Sequence, residues 1–377
     1  MSDARPLSMT GPGFALVRNR FCEAGLIPAP PHLHPTHFAD AAEAIRGWDG
    51  YEPTPLESLA WAAEMAGVAA VFYKDESPRF GLQSFKALGG AYAVGRLVEQ
   101  WRAEGRDPAR MIVCCASDGN HGRSVAWGAA RYGCRAVVFV PRTMAPTRRA
   151  AIEALGATTV TVSGYDEGLK EAARQAEQNG WVVVSDTSYP GYEDIPQDVM
   201  AGYGLIAEEA AAQWDLPPTH LFLQAGVGGM AAALALRFQQ LGVRARLVLC
   251  EAEGAACWFR SLAEGEWCAV ASRGTIQAGL DCGEPSTVAW GMLHRHADVA
   301  ARIGDARAEE AIRLLAHGLP VIEAGESAVA GLATLLTAGT STTARDILGL
   351  DAQSRVFVLG SEGATDPDGF ARVMAAS

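Results

Sequence analysis

From residue 70 onward the chain alternates short apolar runs with Ala-rich stretches of helical periodicity, and few architectures accept that pattern. Residues 70–74, 111–115, 136–140, 158–163, 181–185, 220–224, 246–251 and 355–359 read as strands. Most are near-continuous in apolar character, as expected of parallel strands covered on both faces by helices. Residues 147–155, 167–178 and 230–241 read as helices between them. One strand and one helix in turn predicts an α/β protein with mainly parallel sheets. Between residues 111 and 185 four strands are separated by single helices, which marks a compact sub-domain. Residues 286–350 read as mostly helical. The first fifty residues read as irregular, because Pro28, Pro30, Pro31 and Pro35 crowd one segment.

Composition narrows the function. A chain of 377 residues is long enough for two domains. Its net charge of −12 argues against a nucleic-acid or anionic-membrane surface, where Lys and Arg must dominate. The uncharged stretch of residues 327–344 carries seven Ser/Thr and two Gly and is no membrane span. No basic region followed by an apolar core opens the sequence, so no signal peptide is expected. The eight Cys form no C-x-x-C pair, which fits reduced thiols in a cytoplasm. His32, His34 and His37 fall close together, but no nearby Cys completes a metal set, and solvated or packing rings are expected.

Three loops at strand ends carry the chemistry. The run K-D-E-S-P-R-F-G-L-Q-S-F-K places Lys86 where a helix begins, against the positive end of the helix dipole. That field favours the neutral amine a Schiff-base lysine needs, while a surface lysine at a helix start is the plain alternative. A-S-D-G-N-H-G, residues 116–122, links a strand to a helix with the backbone N–H groups of an anion site. Asp118 is out of place there, since it repels the anion the loop would hold; helix capping is its ordinary role. Q-A-G-V-G-G-M-A, residues 224–231, lets backbone approach a phosphate. This last run also imitates G-x-G-x-x-A, with Glu251 twenty residues past Ala231, so a nicotinamide dehydrogenase competes on motif grounds. S-D-T-S-Y-P-G-Y-E-D and L-G-S-E-G-A-T-D follow two further strands, where open α/β sheets bind ligands.

Taken in order, with A-G-L-D-C-G-E-P, these strings make the chain resemble the pyridoxal-phosphate enzymes of the tryptophan synthase β-like fold. Within that group it resembles the diaminopropionate ammonia-lyases, whose loop carries the aspartate found here at Asp118. The resemblance implies two open, mainly parallel twisted sheets flanked by helices. It assigns residues 1–89 and 201–377 to a large cofactor domain and 90–200 to a smaller inserted domain. Pyridoxal 5'-phosphate is the implied cofactor, held between them. Lys86 is the implied Schiff-base lysine, with Phe85 against the ring and Asn120 at the ring hydroxyl. Gly226, Val227, Gly228, Gly229 and Met230 match the phosphate cradle, and Ser361 matches the residue at the pyridine nitrogen. Ala364 departs from the family's acidic residue, which leaves Thr365 as a second hydroxyl. Ser117, Asp118, Gly119 and His121 are the implied substrate loop, and Cys257 and Cys282 fall where the family places its active-site entrance.

The implied reaction is α,β-elimination of 2,3-diaminopropionate to pyruvate and two ammonia. Lys86 is expected to take the α-proton of the L-enantiomer and Asp118 that of the D-enantiomer. Asp186 is the second acid, holding or tuning the leaving amine. A small amino-acid substrate, a homodimer and a cytoplasmic setting go with this reading. A serine/threonine dehydratase or a β-replacement synthase of the same fold remains open, as does a non-catalytic binding protein.

Overall fold

The computed structural model describes residues 8–117 and 119–376. The chain divides into two compact units. One takes the segment up to Pro30, Pro53–Pro78 and everything from Ile206 onward; the other takes Pro31–Glu52 and Arg79–Leu205.

Twelve strands are present among the described residues: β1 Ser8–Gly11, β2 Phe14–Arg18, β3 Leu56–Ser58, β4 Ala70–Asp75, β5 Ile112–Ala116, β6 Arg135–Pro141, β7 Thr158–Val162, β8 Val182–Val183, β9 His220–Gln224, β10 Arg246–Ala252, β11 Val299–Ile303 and β12 Arg355–Gly360. The first unit holds an eight-stranded sheet in the order β1-β2-β11-β10-β9-β12-β4-β3. Its centre is parallel, from β11 through β10, β9 and β12 to β4. Antiparallel strands close both edges. The second unit holds the sheet β7-β6-β5-β8, parallel throughout. Two mainly parallel sheets with helices between the strands match the expected α/β class.

All eight expected strands form, with ends shifted by a residue or two in most and more in β8. Three regions depart from expectation. The supposedly irregular start contains the β1–β2 hairpin and the helix Pro35–Arg46. Pro35 occupies the first helical position, where its missing N–H costs nothing, so the proline starts a helix there. The stretch expected to be helical contains β11, a V-A-A-R-I run whose alanines have little strand preference of their own. Parallel pairing with β10 and antiparallel pairing with β2 create that strand. Residues 181–185 yield only the two-residue β8, an edge strand paired on one side. The rings of His32 and His37 stack at 5.8 Å between centroids.

The uncharged stretch becomes core. The helix Ala330–Gly339 is buried along most of its length beneath the large sheet, and no helix among the described residues is long and apolar enough to cross a membrane. A polar network also lies inside this unit. Fully buried Lys74, in β4, donates to Glu209 at 2.7 Å and to the Thr54 carbonyl at 2.6 Å. The Thr54 hydroxyl reaches Glu76 at 2.6 Å. Removing one partner of a buried pair leaves an uncompensated charge and costs about 3–5 kcal/mol. Glu209→Gln is therefore expected to lower stability by about 3 kcal/mol, read as an earlier urea midpoint by circular dichroism. A midpoint equal to that of the parent would show that the Glu209 charge is not needed to hold the lysine.

Candidate active site

In the second unit, two helices meet through residues too small to keep them apart. Lys86–Ala103 packs against Asn120–Tyr132, the helix that follows β5. A Cβ on Gly90 would lie 2.4 Å from the Ser124 hydroxyl, and one on Gly128 would lie 2.7 Å from Cα of Ala91. Ser124 fastens the contact: its hydroxyl donates to the Lys86 carbonyl at 2.5 Å and accepts from the Ala91 amide at 3.1 Å. The backbone under Lys86 is thereby held at a helix start whose first turn carries no acidic side chain.

The side chain of Lys86 forms an ion pair with Asp186, which lies just past β8. Both are mostly enclosed, at 22% and 14% side-chain exposure, so solvent screens the pair only in part. Burial pushes the Asp186 carboxyl up, but Lys86, His121 and the hydrogen bonds the carboxylate accepts together outweigh it, and the group is held far below the usual carboxylate range. His121, buried on the neighbouring helix, stands 3.8 Å from the same carboxylate through Nδ1. Its Nε2–H donates to the Val184 carbonyl at 2.8 Å. Burial, helped by Lys86, lowers its pKa, so the ring is neutral and Nδ1 faces Asp186 with no hydrogen-bond partner.

Ser117 shapes the loop between β5 and its helix. Its hydroxyl accepts from the amides of Gly119 at 3.1 Å and Gly122 at 2.8 Å. Gly122 has no room for a side chain, since a Cβ would sit 2.8 Å from Val138. Asn120 opens the helix and is half-buried. Asp118 lies outside the described residues. Phe85, before Lys86, packs its ring 4.7 Å from that of buried Tyr203.

The glycine loop and Ser361 belong to the first unit. Gly226–Gly228 follow β9 and lead into the helix Gly229–Gln240, which has no side-chain cap and no acid in its first turn. The loop carbonyls are tied back: Gly226 accepts from the Trp258 indole at 3.0 Å and Val227 from the Ser286 amide at 2.9 Å. Gly228 accepts from Ala232 in the helix, and its φ of +95° is one that a side chain would strain. Tying carbonyls behind such a loop leaves its N–H groups and the helix dipole to an anion. These residues fit a phosphate. Ser361 follows β12 and is buried, while Thr365 is partly exposed. Beside them, Oε1 of buried Gln224 has no hydrogen-bond partner. Cys257 and Cys282 flank the same loop as free thiols: a Cβ on Gly226 would lie 2.8 Å from Sγ of Cys282, and Cys257 is 3.9 Å from the Gly226 carbonyl.

The dinucleotide reading fails here. Its acid, Glu251, is fully buried at the end of β10 and accepts the amides of Trp258 at 2.8 Å and Phe259 at 2.6 Å. A carboxylate spent on capping a helix cannot read a ribose.

Of the expected residues, Lys86, Asp186 and His121 form one cluster with the Ser117 loop beside it, and Gly226–Met230 form another with its own supports. Sequence reasoning missed Ser124, Tyr203 and Trp258. Each acts across a helix or loop packing that no local motif announces.

The family model described as pyridoxal-phosphate dependent enzyme matches residues 48–349. Diaminopropionate ammonia-lyase of Escherichia coli K12 is 37% identical over 341 residues, spanning 84% of this chain and 86% of that protein. L-threonine dehydratase of the same organism is 28% identical over 261 residues, spanning 68% of this chain but 44% of that protein. The crystal structure of the E. coli diaminopropionate ammonia-lyase in complex with an aminoacrylate–pyridoxal phosphate azomethine intermediate superposes with a TM-score of 0.88, at 33% identity, covering 96% of each chain. With the phosphate-fitting glycine loop and the enclosed lysine already in place, the chain belongs to the family of pyridoxal-phosphate-dependent enzymes that includes the diaminopropionate ammonia-lyases.

Proposed function

We propose that this protein eliminates ammonia from 2,3-diaminopropionate, giving pyruvate and a second ammonia. The observation that carries the reading is the chain-long likeness to diaminopropionate ammonia-lyase, at 84% of this chain and 86% of that protein. The likeness to threonine dehydratase spans less than half of that enzyme. The chemistry of the Lys86 cluster agrees, because a substrate with a β-ammonium needs an enclosed anion and Asp186 is one.

Gly226, Val227, Gly228, Gly229 and Met230 would hold the cofactor's phosphate. Lys86 would hold its aldehyde carbon, with Phe85 and Asn120 at the ring and Ser361 at the ring nitrogen. When bound, pyridoxal phosphate supplies an electrophilic carbon for the substrate's α-amine and a ring that takes up the electron pair left at Cα.

The protein's own groups then have two tasks. Lys86, once free, takes the proton from Cα of the L-enantiomer; Asp118 is our assignment for the D-enantiomer, on the opposite face. The Cβ–N bond breaks with its electron pair going to nitrogen, so that nitrogen must carry a proton when it leaves. Asp186 keeps the β-amine protonated and in place, and His121 holds its neutral Nδ1 towards that carboxylate. Ser117, Gly119 and His121 frame the substrate's side of the loop. Water then converts the released 2-aminoacrylate to pyruvate and the second ammonia.

A homodimer in the cytoplasm completes the proposal, a two-fold pair being the commonest assembly. The deciding assay offers purified enzyme L- and D-diaminopropionate, L-serine and L-threonine and measures keto acid and ammonia. Two ammonia per pyruvate from diaminopropionate, with kcat/KM at least 100-fold above serine, is expected. The 100-fold ratio is about 2.7 kcal/mol of transition-state discrimination, on the order of one charged hydrogen bond. A serine or threonine preference would transfer the protein to the dehydratases.

A further inference from the structure

Trp258 stands at the start of the helix Cys257–Glu264 and is fully buried. Two contacts outside the loop hold it in place. The Trp258 amide donates to the Glu251 carboxylate at 2.8 Å, which fastens it to the end of β10. Its ring lies against that of Trp290, with centroids 5.9 Å apart. Trp290 belongs to the short helix Thr287–Leu293, and the residue before that helix, Ser286, donates its amide to the Val227 carbonyl at 2.9 Å.

From this seat the indole does two things to the glycine loop. Nε1–H donates to the Gly226 carbonyl at 3.0 Å. The six-membered ring fills the space beside Gly228 so closely that a Cβ there would lie 2.3 Å from it. One side chain therefore pulls the first carbonyl of the turn backward and walls the back of its third residue. The Gly226 carbonyl shares its peptide plane with the Val227 N–H, so holding that carbonyl back turns the Val227 N–H to the opposite side. A phosphate is held by N–H groups whose direction is set in advance, because reorienting them on binding would cost affinity.

We propose that Trp258 is a positioning residue for the cofactor's phosphate, setting the direction of the Val227 amide through the Gly226 carbonyl. It makes pyridoxal phosphate, as opposed to unphosphorylated pyridoxal, the form this protein retains. The inference rests on the assignment of that loop as the phosphate cradle.

Trp258→Phe keeps an aromatic side chain in the core but removes the donor to Gly226 and the outer ring beside Gly228. Apo-protein of the parent and the variant is titrated with pyridoxal phosphate and, separately, with pyridoxal, following visible absorbance. The expected result is a dissociation constant for pyridoxal phosphate raised about 10-fold, with that for pyridoxal changed less than 2-fold, given one lost hydrogen bond to the Gly226 carbonyl. Inorganic phosphate should compete with the cofactor correspondingly less well in the variant. Equal losses for both cofactor forms, or unchanged affinity with a lowered apo melting temperature, would make Trp258 a core residue and overturn the proposal. Trp258→His, which can restore a ring N–H, provides a second variant should Phe fail to fold. Its phosphate preference must exceed that of any foldable non-donor at the site, or the idea is lost. Failure of the parent to bind pyridoxal phosphate would instead count against the cradle itself.

Discussion

Lys86→Ala is expected to abolish pyruvate formation from either enantiomer of diaminopropionate, a loss of at least about 10³-fold in kcat, since the Schiff-base nucleophile is lost for both and the base for the L-enantiomer as well. The parent should be yellow, and borohydride should bleach it and fix the cofactor to the peptide containing Lys86. The variant should retain cofactor that borohydride fixes to no lysine. The structural reason is that the Lys86 backbone is held by Ser124 and its amine faces Asp186, so no other lysine can take the position. Lys74, a strand away in sequence, is spent on Glu209 in the other unit. A small primary amine added to the variant should restore part of the proton transfer. Pyruvate formation at the parental rate would remove Lys86 from the mechanism.

The second large effect separates the two acids. Asp118→Asn is expected to lower kcat for D-diaminopropionate by about 10²–10⁴-fold while sparing the L-enantiomer, because an amide keeps the shape but cannot accept the proton. Asp186→Asn should damage both enantiomers to a similar degree, since protonation of the leaving amine is common to both. It also removes the charge that faces Lys86 and His121, so the pH dependence of kcat should change shape in this variant alone. Equal losses on both enantiomers in Asp118→Asn would make that residue a holder of substrate. An unimpaired Asp118→Asn would cut the tie between the loop's charge and the diamine, and would favour a hydroxyl-leaving substrate.

Much of the parallel sheets was legible because their signal is local. Strands such as His220–Gln224 are continuous apolar runs between turn residues, and burial on both faces demands that text wherever the strand pairs. The glycine-bearing loops at the strand ends were legible for a related reason. A backbone that approaches a phosphate or starts a helix at a strand end needs Gly, Ser or Asn at set offsets, so Gly226–Met230 and Ser117–His121 could be found before their surroundings were known.

What only the tertiary structure decided lacks a local requirement. The alanines of Val299–Ile303 become strand because β10 and β2 offer hydrogen bonds on both sides, a choice no window of five residues contains. Pro35, read as a breaker, begins a helix, since its effect depends on which position of the helix it takes. Glu251 has the spacing of a ribose ligand, yet the chain folds Trp258 and Phe259 onto its carboxylate and makes it a cap. Asp186 and Lys86 are a hundred residues apart, and their pairing depends on where β8 ends relative to a helix start. Residue types at turns are dictated by backbone geometry, which sequence carries. The partners those residues meet are dictated by how separate elements pack, which it carries only through the whole fold.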